Sequence, residues 1–255
     1  MTGSLLDALA ERRSTLGASA ALWAGPTGVR LYDDRWLALS GARSVEYNAA
    51  LAHGDGGALD ETIEDVLEAG APAVVMVAGR ALDDLERLQA RGWTSVGSVA
   101  LMQLDLRATC AATPPHAVRR LGADDHPAVR DLVGDVFGVG AELAGVAISG
   151  VTAGLDGQEL WGAFNSAGAL MSCLATARVD DTVTIWSMAT SRLARRRGYG
   201  TAALGGALAA ASRDGATSSL LSSSNEGEPL YRALGYRELE RWQQWSRPRW
   251  VLARA

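Results

Sequence analysis

The 255-residue chain contains no lysine, so all 24 of its basic residues are arginine. Any site that depends on a neutralised lysine amine is thereby excluded. Cysteine is nearly as scarce. Cys110 and Cys173 are the only two, too few for a disulfide framework, and they point to a reducing compartment. His53, His116 and His126 are scattered through turn-like segments and form no recognised metal spacing with the cysteines, so no metal is expected. No apolar run reaches the ~18 residues of a membrane span. The opening stretch MTGSLLDALAERRSTL carries Asp7 and Glu11 where a signal peptide would be apolar. The chain therefore reads as cytoplasmic, without a membrane partner.

The hydrophobic fraction of 48% suits a globular protein, and the length allows one large domain or two small ones. A net charge of −5 argues against non-specific nucleic-acid binding. The charge is uneven. Residues 1–110 hold 9 arginines against 15 carboxylates, a balance of −6, while residues 111–255 hold 15 against 14, a balance of +1. Between them, Arg107–Pro115 (RATCAATPP) ends in two prolines and reads as an extended linker. The expected division is a first domain at 1–110 and a second at 111–255.

In the first part, 1–14 reads as a short amphipathic helix and DDRWLALSG as a strand with a turn behind it. LDETIEDVLEAG reads as a helix with Leu59, Ile63, Val66 and Leu67 on one face and Gly70 as its stop. APAVVMVAG is a buried strand, ALDDLERLQARGW a second helix stopped by Gly92, and VGSVALMQLDL a last strand. After the linker come a strand, a turn and a helix over AVRRLGADDHPAVRDLVGDVFG. Three strands follow over ELWGAFNSAGALMSCLATARVDDTVTIWSMAT, with turns at Asn165–Gly168 and Asp180–Asp181. A helix over 201–213, the strand ATSSLLSSS, the short helix EPLYRAL and a final strand or strand pair in YRELERWQQWSR complete the chain. The fold class is α+β, a mixed α/β sheet. The similar order of elements in the two halves suggests a weak internal duplication, with ordinary α+β alternation as the alternative.

The stretch SRLARRRGYGTAAL puts four arginines into six residues immediately before a helix. A helix N-terminus holds unpaired N–H groups and a partial positive charge, and so attracts anions. Gly198 and Gly200 let backbone approach a ligand closely, Thr201 can cap the helix, and Arg195, Arg196 and Arg197 add charged donors. The combination suits a pyrophosphate, although it matches neither common nucleotide fingerprint.

Further on come Asn225, at the end of a strand, and Leu230-Tyr231-Arg232-Ala233-Leu234-Gly235-Tyr236. With Arg195-Arg196-Arg197-Gly198-Tyr199-Gly200 in front, this series resembles the GNAT acetyltransferase superfamily over roughly residues 119–245. The resemblance implies a GNAT fold in the second domain, with a degenerate GNAT-like first half that has lost cofactor binding. It also implies acetyl-CoA as co-substrate. Backbone from Arg195 through Gly198, Tyr199, Gly200 and Thr201 would hold the pyrophosphate. Backbone of Met188 and Thr190 would pair with the pantetheine arm along a strand that splays from its neighbour, and Asn225 would contact that arm. Tyr231 would protonate the departing thiolate. Many family members carry a glutamate on the strand before the loop. Here that strand has Trp186 and Ser187 instead, and Glu142, Asp135 and Glu159 are the remaining candidates for a base.

The function implied is transfer of an acetyl group to the amine of a small molecule by direct attack. The alternative is a non-catalytic acyl-CoA-binding or protein-interaction module on the same fold. Neither nucleic acid nor membrane is expected as a partner, and a homodimer stays open. Trp242, Trp245 and Trp250 are expected in the core or a pocket wall, and Cys173 as a small buried strand residue.

Overall fold

Glycine-stopped helices and short apolar strands dominate the first hundred residues, as their periodicity dictates. The structure, a computed structural model, describes residues 5–108 and 116–252; most of the linker and Cys110 lie outside the described residues. The chain divides into two units. One comprises Met1–Met102, Ser222–Glu226 and Glu238–Ala255; the other comprises Gln103–Leu221 and Gly227–Arg237. A split at 110/111 keeps each domain contiguous, whereas these units are not contiguous.

The first unit begins with α1 (Leu5–Ser19) and α2 (Ala21–Ala24). Strands β1 (Val29–Leu31), β2 (Arg35–Leu39) and β3 (Asn48–Ala52) follow, then α3 (Gly56–Ala69), β4 (Val74–Val77), α4 (Leu85–Ala90) and β5 (Thr94–Asp105), whose last residues belong to the second unit. Helix α1 runs to Ser19, five residues past the expected end, because Gly17 lets it rest on Trp36. A Cβ at Gly17 would stand 2.6 Å from the indole. Helix α3 buries Leu59, Ile63 and Val66 as its spacing predicts, with Leu67 only partly covered. They pack with Leu37, Val75, Leu88, Trp93 and Trp245 in one apolar cluster.

The second unit contains β6 (Ala117–Arg120), α5 (His126–Phe137), α6 (Ala141–Val146), α7 (Ser149–Thr152), β7 (Gln158–Phe164), β8 (Leu170–Val179), β9 (Thr182–Thr190), α8 (Tyr199–Arg213), β10 (Ser218–Ser223) and α9 (Glu228–Ala233). The chain then supplies β11 (Arg237–Ser246) and α10 (Pro248–Leu252) to the first unit. Trp242 and Trp245 of β11 are buried, as expected, and Trp250 is half-buried with its ring edge-on to Trp93 at 5.4 Å.

Strand order is β1-β2-β3-β4-β11-β5 in the first unit and β10-β9-β8-β7-β6 in the second. In each, three consecutive strands form an antiparallel meander (β1–β3; β7–β9), a helix crosses over (α3; α8), and the next strand pairs in parallel (β4; β10). The duplication read from sequence is therefore present as repeated topology. Strand β11 pairs antiparallel with β4, Gln243 opposite Val77 and Trp245 opposite Val75. A buried ion pair fixes it there. Arg13 Nε donates to Glu240 Oε2 at 2.9 Å, and Arg13 Nη2 bonds Glu240 Oε1. The Gly79 amide (3.2 Å) and the Trp242 indole N–H (2.7 Å) donate to the same carboxylate.

Candidate functional site

The site of the second unit is built where β9 ends and α8 begins. Strand β9 follows β10 only over Thr182–Thr184, opposite Ser218–Leu220, and then continues to Thr190. The parallel ladder stops while the strand goes on, which leaves an edge of β9 for another extended chain to pair with. On its other side β9 pairs with β8, and there the register jumps: Ala175 faces Trp186, but Cys173 faces Ala189. Ser187 and Met188 therefore oppose Leu174 alone. This is a β-bulge, and Ser187 takes a left-handed φ of 49° within it. Bulges re-aim backbone groups out of the regular ladder.

Beyond Thr190 a short 3-10 turn leads into Arg195, Arg196 and Arg197. All three side chains are exposed, and none has a carboxylate partner among the described residues. Arg196 sits in the left-handed region at φ 61°, where a residue with a Cβ is disfavoured. Gly198, at φ 83°, is the N-cap of α8, a conformation that glycine adopts without strain. No side chain caps this helix. Thr201, expected to cap it, is instead the third residue of the helix and exposed, because α8 starts at Tyr199. The amides of the first turn thus have no intrahelical acceptor.

Gly200 brings the helix start onto the end of β9. A Cβ there would stand 3.1 Å from Thr190 Oγ1, 3.2 Å from Met188 Cε and 3.6 Å from Leu230 Cδ2. Thr190 is held in turn. Ser172 Oγ donates to the Ala189 carbonyl at 2.9 Å, so its oxygen accepts from the Thr190 hydroxyl, also at 2.9 Å. Tyr231 on α9 points its hydroxyl at Met188 Sδ, 3.5 Å away, a weak acceptor that a better one would displace. Its ring meets Tyr236 edge-on at 5.7 Å, and the Tyr236 hydroxyl is paired with Ser219 Oγ at 2.6 Å. Burial pushes the Tyr231 phenol up to about 12, so it stays protonated at neutral pH.

Met188, Thr190, Gly200 and Tyr231 are therefore brought together, with the arginine turn leading into the same helix start. Asn225 is not in this unit. It sits in the turn after β10, where its Oδ1 accepts from Arg241 Nη1 at 3.2 Å and its NH2 has no partner among the described residues. Of the candidate bases, Glu159 is tied to Arg120 (3.0 Å) and to the Trp161 indole N–H (2.9 Å). Asp135 offers its main-chain carbonyl to Arg192, and Glu142 is exposed. Cys173 is buried in β8, and its thiol is pushed up to about 12. A hollow of about 280 Å³ lined by Ala117, Val118, Arg119, Phe164 and Gly168 includes none of the site residues.

His116 is the residue that sequence reasoning missed. Its Nε2 lies 2.7 Å from the main-chain oxygen of Arg197, and its ring stacks on Tyr199 with centroids 3.8 Å apart. A lone histidine before a strand gives no signal of a partner 81 positions later. Among the described residues no group of three His, Cys, Asp or Glu is placed to hold a metal, and no helix is long and apolar enough to cross a membrane.

Residues 135–236 match the family described as Acetyltransferase (GNAT) family. No curated protein matches the chain. Among solved structures, it is similar to a GCN5-related N-acetyltransferase from Kribbella flavida, with a TM-score of 0.64 and 17% identity over 92% of this chain and 95% of that one. It is also similar to a GCN5-related N-acetyltransferase from Sphaerobacter thermophilus, at 0.62 and 18% over 96% and 93%. A third is a tandem GNAT protein from the clavulanic acid biosynthesis pathway, at 0.58 and 13% over 95% and 94%. At these identities the likeness is one of fold.

Proposed function

We propose, from the GNAT-family domain that the chain carries at residues 135–236, that the second unit is an acetyl-CoA-dependent N-acetyltransferase acting on the amine of a small molecule. The observation that carries this reading is the end of β9. Its unpaired edge, its bulge, the uncapped start of α8 and the Tyr231 hydroxyl all converge on Met188 and Gly200.

The coenzyme's diphosphate would lie on the amides of Gly198, Tyr199, Gly200 and Thr201, with charge from Arg195, Arg196 and Arg197. Its pantetheine arm would pair with the backbone of Met188 and Thr190 as an added strand. The thioester would then reach the bulge. A neutral amine attacks the acetyl carbon, the N–C bond forms, and the oxyanion is met by backbone N–H of the Met188–Thr190 segment. The C–S bond breaks, and the proton lost by nitrogen balances the one gained by sulfur. Tyr231 donates to the leaving sulfur. With its phenol raised to about 12, above the leaving thiol, it acts as a hydrogen-bond donor.

The first unit would not bind the coenzyme. Strands β3 and β4 stay paired from Ala49↔Val74 to Ala52↔Val77, and the Ala78 amide extends the ladder to Ala52 at 3.0 Å. No wedge opens there. The start of α3 is capped by its own carboxylate, Asp55 Oδ1 accepting from the Gly57 amide at 3.2 Å, which would repel a phosphate.

A second reading is an acyl-CoA-binding module without turnover. It is favoured by the lack of any ionisable side chain on β9, TVTIWSMAT. One assay separates the two: thiol release from acetyl-CoA across a panel of amines, wild type against Tyr231→Phe. Turnover that falls in the variant supports the transferase. Tight binding without turnover on any amine supports the module.

A further inference from the structure

His116 lies outside the matched family segment, just ahead of β6. Its Nε2 is 2.7 Å from the Arg197 carbonyl oxygen. A carbonyl only accepts, so Nε2 carries a hydrogen and donates it. In a trans peptide the C=O and the following N–H point in opposite directions, and the described residues contain no cis peptide. Holding the Arg197 carbonyl against His116 therefore turns the Gly198 N–H away from His116, to the far side of the turn. The imidazole is held in place by Tyr199, whose ring is 3.8 Å away and tilted by 18°.

The turn requires such a hold. Arg196 and Gly198 are both left-handed, and α8 has no side-chain cap to set its first amides. Released, the 197–198 peptide is free to rotate, and the Gly198 amide loses its direction. The three arginines cannot replace it, since their exposed side chains add charge without fixing a backbone plane.

We infer that His116 is a positioning residue of the anion-binding turn: it orients the Gly198 amide and so governs affinity for the phosphate end of the coenzyme, leaving the thiol end untouched. The inference rests on the coenzyme reading above. It predicts an effect confined to ligands that carry the diphosphate.

The test uses four full-length proteins, the wild type and the Phe, Gln and Ala variants of His116, and two donors. His116→Phe keeps a ring over Tyr199 and removes the donor; His116→Gln loses the ring and keeps an N–H. KM and kcat are measured with acetyl-CoA and with acetyl-pantetheine, and dissociation constants are measured with CoA in case turnover is slow. His116→Phe is expected to raise KM and Kd for the CoA forms at least 10-fold. KM for acetyl-pantetheine and kcat at saturation should stay within about 2-fold, and His116→Gln should recover part of the loss. Unchanged affinity for CoA in His116→Phe, or equal weakening of both donors, overturns the inference while leaving the coenzyme reading intact. Failure of the wild type to bind CoA at all overturns both. A His116→Phe protein that does not fold leaves the decision to His116→Gln, which must then bind CoA more tightly than His116→Ala.

Discussion

At the scale of single residues, Tyr231 and His53 make the sharpest predictions. Tyr231→Phe removes one oxygen from a buried ring whose hydroxyl has Met188 Sδ as its one hydrogen-bond partner among the described residues, so the fold should tolerate it. A hydrogen bond to a charged leaving group is worth about 1.5–3 kcal/mol, so kcat should fall by about 10–10²-fold with little change in coenzyme affinity. The phenol's ordinary value is 10.0 and burial raises it to about 12. A rate that depends on protonated Tyr231 should therefore hold its plateau through pH 10; an alkaline limb near 9 that vanishes in the phenylalanine variant would contradict this. His53 moves the other way. Burial, with Arg13 adding to it, lowers its imidazole from 6.5 to about 4. The fold therefore favours the neutral form. Its contribution to stability is complete above pH 6.5 and is lost as pH falls towards 4. Urea midpoints of the first unit should drop between pH 7 and 4.5, and the drop should shrink in His53→Phe.

At the scale of elements, the order of strands and helices was largely legible, because glycine stops and apolar periodicity are local signals. The strand Val74–Val77 and both helices are found inside or around the expected stretches, one helix starting three residues earlier at Gly56 and the other four residues later at Leu85, after a 3-10 turn. Strand Asn48–Ala52 was not foreseen. Its NAALA is poor in branched residues, and its neighbours Leu37 and Val75 decide its conformation. The start of α8 was read two residues late, since Tyr199 and Gly200 looked like loop. Two adjacent glycines of that helix make a matched test. Gly206 has Val118 against it, with Cγ1 2.5 Å from the position of a Cβ, whereas Gly205 faces open space. Gly205→Ala should stabilise by about 0.5–1 kcal/mol, and Gly206→Ala should destabilise by about 1–3 kcal/mol through overpacking. Thermal melts of the two variants check this; equal shifts would show that β6 yields without cost. Close packing accounts for Gly206 alone.

At the scale of the whole molecule, what sequence order hid is the return of β11 to the first unit. Nothing local in RELERWQQWS says which strand it pairs with. Buried Trp242 and Trp245 and the Glu240 carboxylate settle it, through Arg13, Gly79 and β4. Glu240→Ala would strand the Arg13 guanidinium, which is only 6% exposed, and should cost about 3–5 kcal/mol. Pairing it with Arg13→Met should recover much of that in urea unfolding; no loss in the single variant would mean that β11 is held by its tryptophans alone. The division of labour proposed for the two units comes down to one contrast: β9 parts from β10 above an uncapped helix, while β3 stays paired with β4 above a helix that caps itself. The most direct measurement is a crystal structure of the full chain grown with acetyl-CoA. It should show one coenzyme per chain, diphosphate oxygens on the amides of residues 198–201 and the acetyl group within reach of Tyr231. A coenzyme seated on the first unit, or the turn at residues 195–201 left empty at saturating ligand, would contradict the assignment.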